Sequence, residues 1–236
     1  MNVVLFGATG MIGQGVLREC LRDRGVERVV SVGRRPTGQH HAKLTELVLP
    51  DLATLAPLER QLTGLDACFF CLGVSALGMK EEQYARVTYD LTIGVAKTLL
   101  RTSPDLTFIY VSGQGTDSSE RGRAMWARVK GRTENALLSM PFKAAYMFRP
   151  GAVIPLHGIR SSTRWYNAMY AVIKPFYPIL RRLAPTMITT THQLGRAMLA
   201  VARNGYARHV LERADINRLL PHRIWNRGLE SKSLRN

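Results

Sequence analysis

The stretch VLFGATGMIGQG, Val4 to Gly15, constrains this chain more than any other. Its opening apolar residues read as a strand buried on both faces. Glycines at 7, 10 and 13 follow directly, and a helical pattern begins at Met11. A strand that turns on glycine into a helix, with a second strand expected near Glu27–Val32, is a βαβ unit with a right-handed crossover. The three glycines have distinct uses. The first permits the tight turn, the second lets backbone approach a pyrophosphate, and the third lets helix and strand pack closely. The helix N-terminus then offers oriented N–H groups to phosphate. The spacing is GxxGxxG.

The same alternation continues. Further strands are expected near Glu46–Leu49, Ala67–Phe70, Leu106–Val111 and Ala144–Phe148. Helical patterns lie near Met11–Asp23, Leu55–Leu62, Glu81–Thr102 and Arg121–Ser139. This predicts an α/β fold, a doubly wound parallel sheet. After Pro150 the texture changes, and only Thr189–Asn204, with threonine caps at its start and Gly205 at its end, reads as a clear helix. The expected organisation is one domain over 1–220. It carries a small, mostly helical C-terminal cap built from about 151–205, over the carboxyl edge of the sheet. Residues 221–236 are expected to be a disordered tail.

No apolar run reaches the roughly 18–20 residues that cross a bilayer. The N-terminal strand has no basic region before it, so no signal peptide is expected. Three cysteines give no disulfide framework, and a cytoplasmic setting is expected. The charge is uneven: residues 112–236 carry 21 Lys/Arg against 6 Asp/Glu, and Asn135–Leu211 contains no acid. A basic half of this kind faces a phosphorylated cofactor, an acidic substrate or anionic lipid. Nucleic acid is not expected, because no reading motif is present. The aromatic, basic segment 163–183 suits a lid or internal packing, a peripheral contact with anionic membrane, or a dimer contact. CFFC, Cys68 to Cys71, lies along a buried strand and reads as core. Without a second Cys/His cluster, no metal is expected.

Other residues point to a nucleotide. The second strand ends in Gly33, Arg34 and Arg35, where an NAD-selective site would want an acid for the ribose hydroxyl. Guanidinium groups there suit a 2′-phosphate, so NADP(H) is the expected cofactor. Asp51 is placed either to hold an adenine amino group, with Leu52 packing on the ring, or to cap the following segment. Cys71, Leu72 and Gly73 end the fourth strand, where backbone can approach a ribose.

Taken in order, GATGMIGQG, GRR, PDL, CLG, YVSG and the lysine of WARVK resemble the short-chain dehydrogenase/reductase superfamily, and within it the atypical members. The likeness is to the Tat-interacting oxidoreductase-like group and its bacterial epimerase-like relatives, and it covers residues 1–150 best. It implies a Rossmann fold and an oxidoreductase. It also implies that Gly7, Thr9, Gly10, Met11, Ile12 and Gly13 form the phosphate loop. Ser112 falls on the catalytic serine, Lys130 on the lysine that holds the nicotinamide ribose, and Arg149-Pro150-Gly151 on the turn that passes the nicotinamide.

One position departs from the family. The tyrosine expected four residues before the lysine is Trp126, whose indole is a donor only. Proton donation typically contributes about 10²–10⁴-fold, so an ordinary ketone would be a poor substrate. A conjugated or apolar acceptor, which takes hydride to give a delocalised anion, needs less help. The alternative is a non-catalytic NADP(H)-binding regulator or membrane-surface protein. Trp126 reads as a packing or substrate-facing wall. Tyr110 and His157 are the other candidate proton donors, His157 by overhanging the substrate side. Lys130 could instead merely pair with Glu134, one turn on.

Overall fold

The computed structural model describes residues 1–156, 158–159 and 189–219. His157, the 163–183 segment and the 221–236 tail lie outside them, so the expectations placed there are not taken further.

The main sheet has seven parallel strands. They are β1 (Asn2–Phe6), β2 (Arg28–Gly33), β3 (Leu44–Val48), β4 (Ala67–Phe70), β5 (Thr107–Val111), β6 (Ala144–Arg149) and β9 (Val210–Glu212). Their spatial order is β3-β2-β1-β4-β5-β6-β9. The order reverses between β1 and β4, which opens a crevice at their carboxyl ends. A separate parallel pair joins β7 (Val153–Ile154) to β8 (Thr189–Thr190).

The inner strands are apolar throughout because both their faces are covered. Val3, Leu5, Phe69 and Ile109 pack on one side beneath α1 (Met11–Arg22). Val4, Phe6, Phe70, Phe108 and Tyr110 pack on the other. There Phe6, Phe70 and Phe108 stack in a row across three strands, with centroids 5.5 and 6.0 Å apart. The covering helices on this side are α2 (Glu81–Ala85) and α3 (Leu91–Thr102), joined by a π-helical turn over Arg86–Asp90, and α4 (Met125–Leu138).

α4 starts four residues later than the sequence pattern suggests. Asp117 is the reason. Its carboxylate accepts the backbone N–H groups of Ser119, Arg121 and Gly122, which holds them in a turn that competes with helix. Glu120 accordingly sits at φ +61°.

After Pro150 the described residues supply a helix, a strand and a short helix. α5 (Thr191–Asn204) lies in the helical layer beside α1, where Leu194, Ala197, Met198 and Val201 share a core with Val16, Leu17 and Cys20. The two helices touch at glycines: a Cβ on Gly15 would lie 2.6 Å from the Thr191 Cβ. β9, followed by α6 (Arg213–Arg218), extends the main sheet beyond the six expected strands. The expected caps of α5 are present. Thr190 Oγ1 accepts from the Gln193 N–H at 3.1 Å, and Gly205 closes the helix at φ +70°.

Candidate functional site

The crevice is a cleft of about 280 Å³ over the carboxyl ends of β1, β2 and β4. Its floor is backbone. Gly7 sits at φ +84°, and a Cβ there would lie 2.7 Å from the Cys71 carbonyl carbon. A Cβ on Gly13 would lie 2.0 Å from the Gly7 oxygen. Only glycine fits at either position. The Gly10 N–H donates back to the Gly7 carbonyl at 2.9 Å and closes the turn. Gly10 is also the N-cap of α1, and no side chain caps that end. The first N–H groups of a twelve-residue helix are thus left for a ligand.

Most residues predicted for this half meet here. Gly7, Thr9, Gly10, Arg34, Arg35, Leu52, Cys71, Leu72 and Gly73 all line the cleft. Arg34 and Arg35 are exposed, and among the described residues neither has an acidic partner. Met11 and Ile12 do not line it: their side chains pack into the core. Any part they take in phosphate binding would be through N–H groups. Asp51 stands outside the lining, and its Oδ1 accepts from the Ala53 N–H at 2.9 Å. This is a local turn and not a helix cap, because the next helical segment, Ala56–Gln61, has Leu55 at its N-cap and no side-chain cap. Cys68 is buried, and burial raises both its thiol and that of Cys71 well above the ordinary range. Among the described residues no cluster of His, Cys, Asp or Glu is placed to hold a metal.

A second polar cluster lies at the ends of β5 and β6. Its centre is Glu134 on α4, fully buried. The Ser112 hydroxyl donates to Glu134 Oε1 at 2.5 Å, with the Phe148 carbonyl a longer acceptor at 3.2 Å. Arg149 Nε donates to both Glu134 oxygens at 3.1 Å, and its Nη2 donates to Oε2. Arg149 also reaches Ser118 Oγ at 2.5 Å and Glu212 at 3.1 Å. The Glu134 bond raises the guanidinium's pKa further. The Arg149 side chain is held in this network, so any part it takes in the turn expected to pass the nicotinamide would be through its backbone. In the same turn Pro150 is buried and its carbonyl accepts from Gln114 N–H. A Cβ on Gly151 would lie 2.8 Å from Gln114 Oε1.

Lys130 is not paired with Glu134. Its Nζ donates to the Ser112 carbonyl, and burial brings its pKa down to about 8, Glu134 opposing the shift. Trp126, half-buried one turn earlier, lays its six-membered ring against Gly115. Tyr110 is core. It is buried beside Phe70 with its hydroxyl on Thr133, and burial pushes its pKa up. Sequence reasoning missed Glu134, Ser118 and Glu212 as members of this cluster. The available signal was that Glu134 is the last acid before the long acid-free stretch.

A glycine-floored crevice at the strand-order reversal, an uncapped α1 and a lysine beside the β5 terminus form one family's arrangement. Residues 3–119 match the model of the NAD dependent epimerase/dehydratase family. Among curated proteins, "Protein FMP52, mitochondrial" of Eremothecium gossypii is 30% identical over 156 residues, which is 65% of this chain and 67% of that protein. The Emericella nidulans protein of the same name is 29% identical over 159 residues, 64% of this chain and 66% of its own length. The chain belongs to the NAD(P)-binding atypical short-chain dehydrogenase/reductases. The alignment thus spans just under two thirds of the Emericella protein.

Solved members of this fold agree at low identity. Gre2 of Candida albicans in complex with NADPH superposes with a TM-score of 0.66 at 13% identity, over 90% of this chain and 78% of that one. MoeE5 in complex with UDP-glucose and NAD gives 0.61 at 18%, over 89% and 74%. These two structures carry different nicotinamide dinucleotides, so the fold does not separate NADP from NAD. The fungal relatives are described as mitochondrial, and this overturns the cytoplasmic expectation.

Proposed function

We propose that this atypical short-chain dehydrogenase/reductase is an NADP(H)-dependent oxidoreductase acting on a conjugated or apolar acceptor. One observation carries the reading: two arginines without acidic partners among the described residues stand at the end of β2, in the same cleft as the glycine-built backbone turn. The cradle excludes side chains at Gly7 and Gly13 and leaves the α1 N–H groups free, which fits a pyrophosphate. Arg34 and Arg35 would bind the 2′-phosphate, and Leu52 would pack on the adenine. Lys130 would hold the nicotinamide ribose, with Pro150 and Gly151 offering backbone beside it. The bound dinucleotide supplies hydride. Trp126 would shield the reacting face from water. An acceptor whose reduced anion is delocalised suits a site with no phenol at position 126.

A non-catalytic NADP(H)-binding regulator is the second reading. The observation that favours it is the commitment of the Ser112 proton to Glu134, beside a tryptophan that cannot act as an acid. Titration calorimetry and a turnover assay separate the two. NADPH binding at least tenfold tighter than NADH, with oxidation in the presence of menadione or cinnamaldehyde, supports the enzyme. Binding without turnover on any acceptor supports the regulator. No heat with either nucleotide rejects both.

A further inference from the structure

We propose that Ser31 is a further ligand-binding group of the nucleotide cleft, and that it holds the 3′-hydroxyl of the dinucleotide's adenosine ribose. The proposal rests on the NADP(H) reading above and names the part of the ligand that the body of β2 recognises.

The inner residues of β2 are apolar except for Ser31. Side chains alternate along a strand. Val30 and Val32 belong to the core on the α3 side, so Val29 and Ser31 face α1. Val29 is sealed in the core there. Ser31 is open at one side, and the strand register gives the reason. Leu5 of β1 lies opposite Ser31, and Phe6 lies opposite Val32. The residues two further on, which would lean over Ser31 on that face, are Gly7 and Gly33. Neither has a side chain. A Cβ on Gly33 would meet nothing closer than the Arg35 oxygen at 3.5 Å. The cleft therefore reaches down between the two strands as far as Ser31, which belongs to its lining while being only 5% exposed.

The Ser31 hydroxyl makes no hydrogen bond to any of the described residues. It differs in this from the other two buried serines among them. Ser103 Oγ donates to the Leu62 carbonyl and accepts from the Leu65 N–H, both at 3.1 Å, and Ser112 donates to Glu134. Buried hydroxyls are ordinarily paired, and leaving one unpaired is costly. An apolar side chain in the style of Val29 would avoid that cost. A ligand that enters the cleft and pairs with the hydroxyl accounts for a serine here. The other hydroxyl of the lining, on Thr9, is already in water.

The position selects the ligand atom. Ser31 lies between the glycine turn, which suits the pyrophosphate, and Arg34 and Arg35, which suit the 2′-phosphate. In NADP these two anions are joined by a single sugar, the adenosine ribose, with the pyrophosphate on C5′ and the extra phosphate on C2′. Its one free hydroxyl is the 3′. A serine hydroxyl can donate and accept, and so matches another hydroxyl, whereas a guanidinium only donates. NAD carries the same 3′-hydroxyl. The arginines therefore tell the two nucleotides apart, and Ser31 adds affinity for both.

Titration calorimetry tests this with NADPH, NADH, and NADH whose adenosine ribose lacks the 3′-hydroxyl. Ser31→Ala should weaken NADPH and NADH by the same factor, about 3–10-fold, the range of a single hydrogen bond. Its melting temperature should hold or rise, because the hydroxyl it loses has no protein partner. The parent should bind the deoxy analogue about 3–10-fold more weakly than NADH, and Ser31→Ala should bind the two alike. Affinities of the variant within about 1.5-fold of the parent for both nucleotides overturn the proposal. So does a loss confined to NADPH, or a variant that still prefers NADH to its deoxy analogue as the parent does. Should the variant not fold, the parent decides alone: a deficit of about threefold or more for the analogue supports the 3′-hydroxyl contact, and equal binding overturns it. A parent that binds neither NADPH nor NADH removes the underlying reading as well. A parent that binds NADPH, with a variant that matches it, removes only the part given to Ser31.

Discussion

The two ends of the site are built on opposite principles. At the β1–β2–β4 end the working parts are backbone and unspent charge: Gly7, Gly13, the bare N-terminus of α1, and two exposed arginines. At the β5–β6 end nearly every polar group is already spent on another, with Glu134 held by Ser112 and Arg149. The first end is prepared for a ligand that brings the complementary charge. The second is prepared to stay as it is. Substitutions should therefore separate cleanly, with binding lost at one end and stability at the other.

The largest effect is expected at Glu134. Glu134→Gln leaves Arg149 charged and poorly matched in a buried position, and breaking such a pair costs about 3–5 kcal/mol. Urea unfolding should show it. A variant of normal stability that failed to bind NADPH would invert the comparison. Gly13→Ala comes next. Its methyl must displace either the Gly7 carbonyl or α1, and overpacking of this kind costs about 1–3 kcal/mol. Because the atom displaced is part of the phosphate cradle, NADPH binding should weaken as well, measured by calorimetry. Arg34→Ala with Arg35→Ala is smaller and more selective. It should weaken NADPH about 10–100-fold, as expected of charge-assisted phosphate contacts, while NADH changes less than threefold and the melting temperature holds. Equal losses for both nucleotides would remove the 2′-phosphate assignment. Smallest is Thr190→Ala, which removes the α5 cap and should cost about 1 kcal/mol in thermal or urea unfolding. It lies outside both ends and should leave NADPH binding alone.

What could be read in advance follows the same division. Strands covered on both faces announce themselves, and β1 and β4 fall where the apolar runs put them. β3 begins two residues before its predicted start. It is an edge strand with no fully buried residue, so its pattern is diluted. β9 has three residues, too few to carry a period. The glycine end of the site was legible because its function is written in residue type: nothing but glycine tolerates those contacts. The Glu134 cluster was not, because its members come from the loop after β5, α4, β6 and β9, and only the fold brings them together. The packing of α5 beside α1 was not legible for a related reason. The helical period of α5 was visible, but nothing local told which surface it covers.

The contact of Gly15 with Thr191 has a consequence for how the molecule is made. The apolar face of α1 leaves the ribosome early, yet the helix that covers it, ending at Asn204, is among the last described parts to emerge. Throughout most of synthesis the nucleotide cradle stands on a helix with one flank wet. A nascent chain stalled before Thr191 should therefore depend on a holding chaperone, and a truncated protein should be one that cofactor cannot rescue.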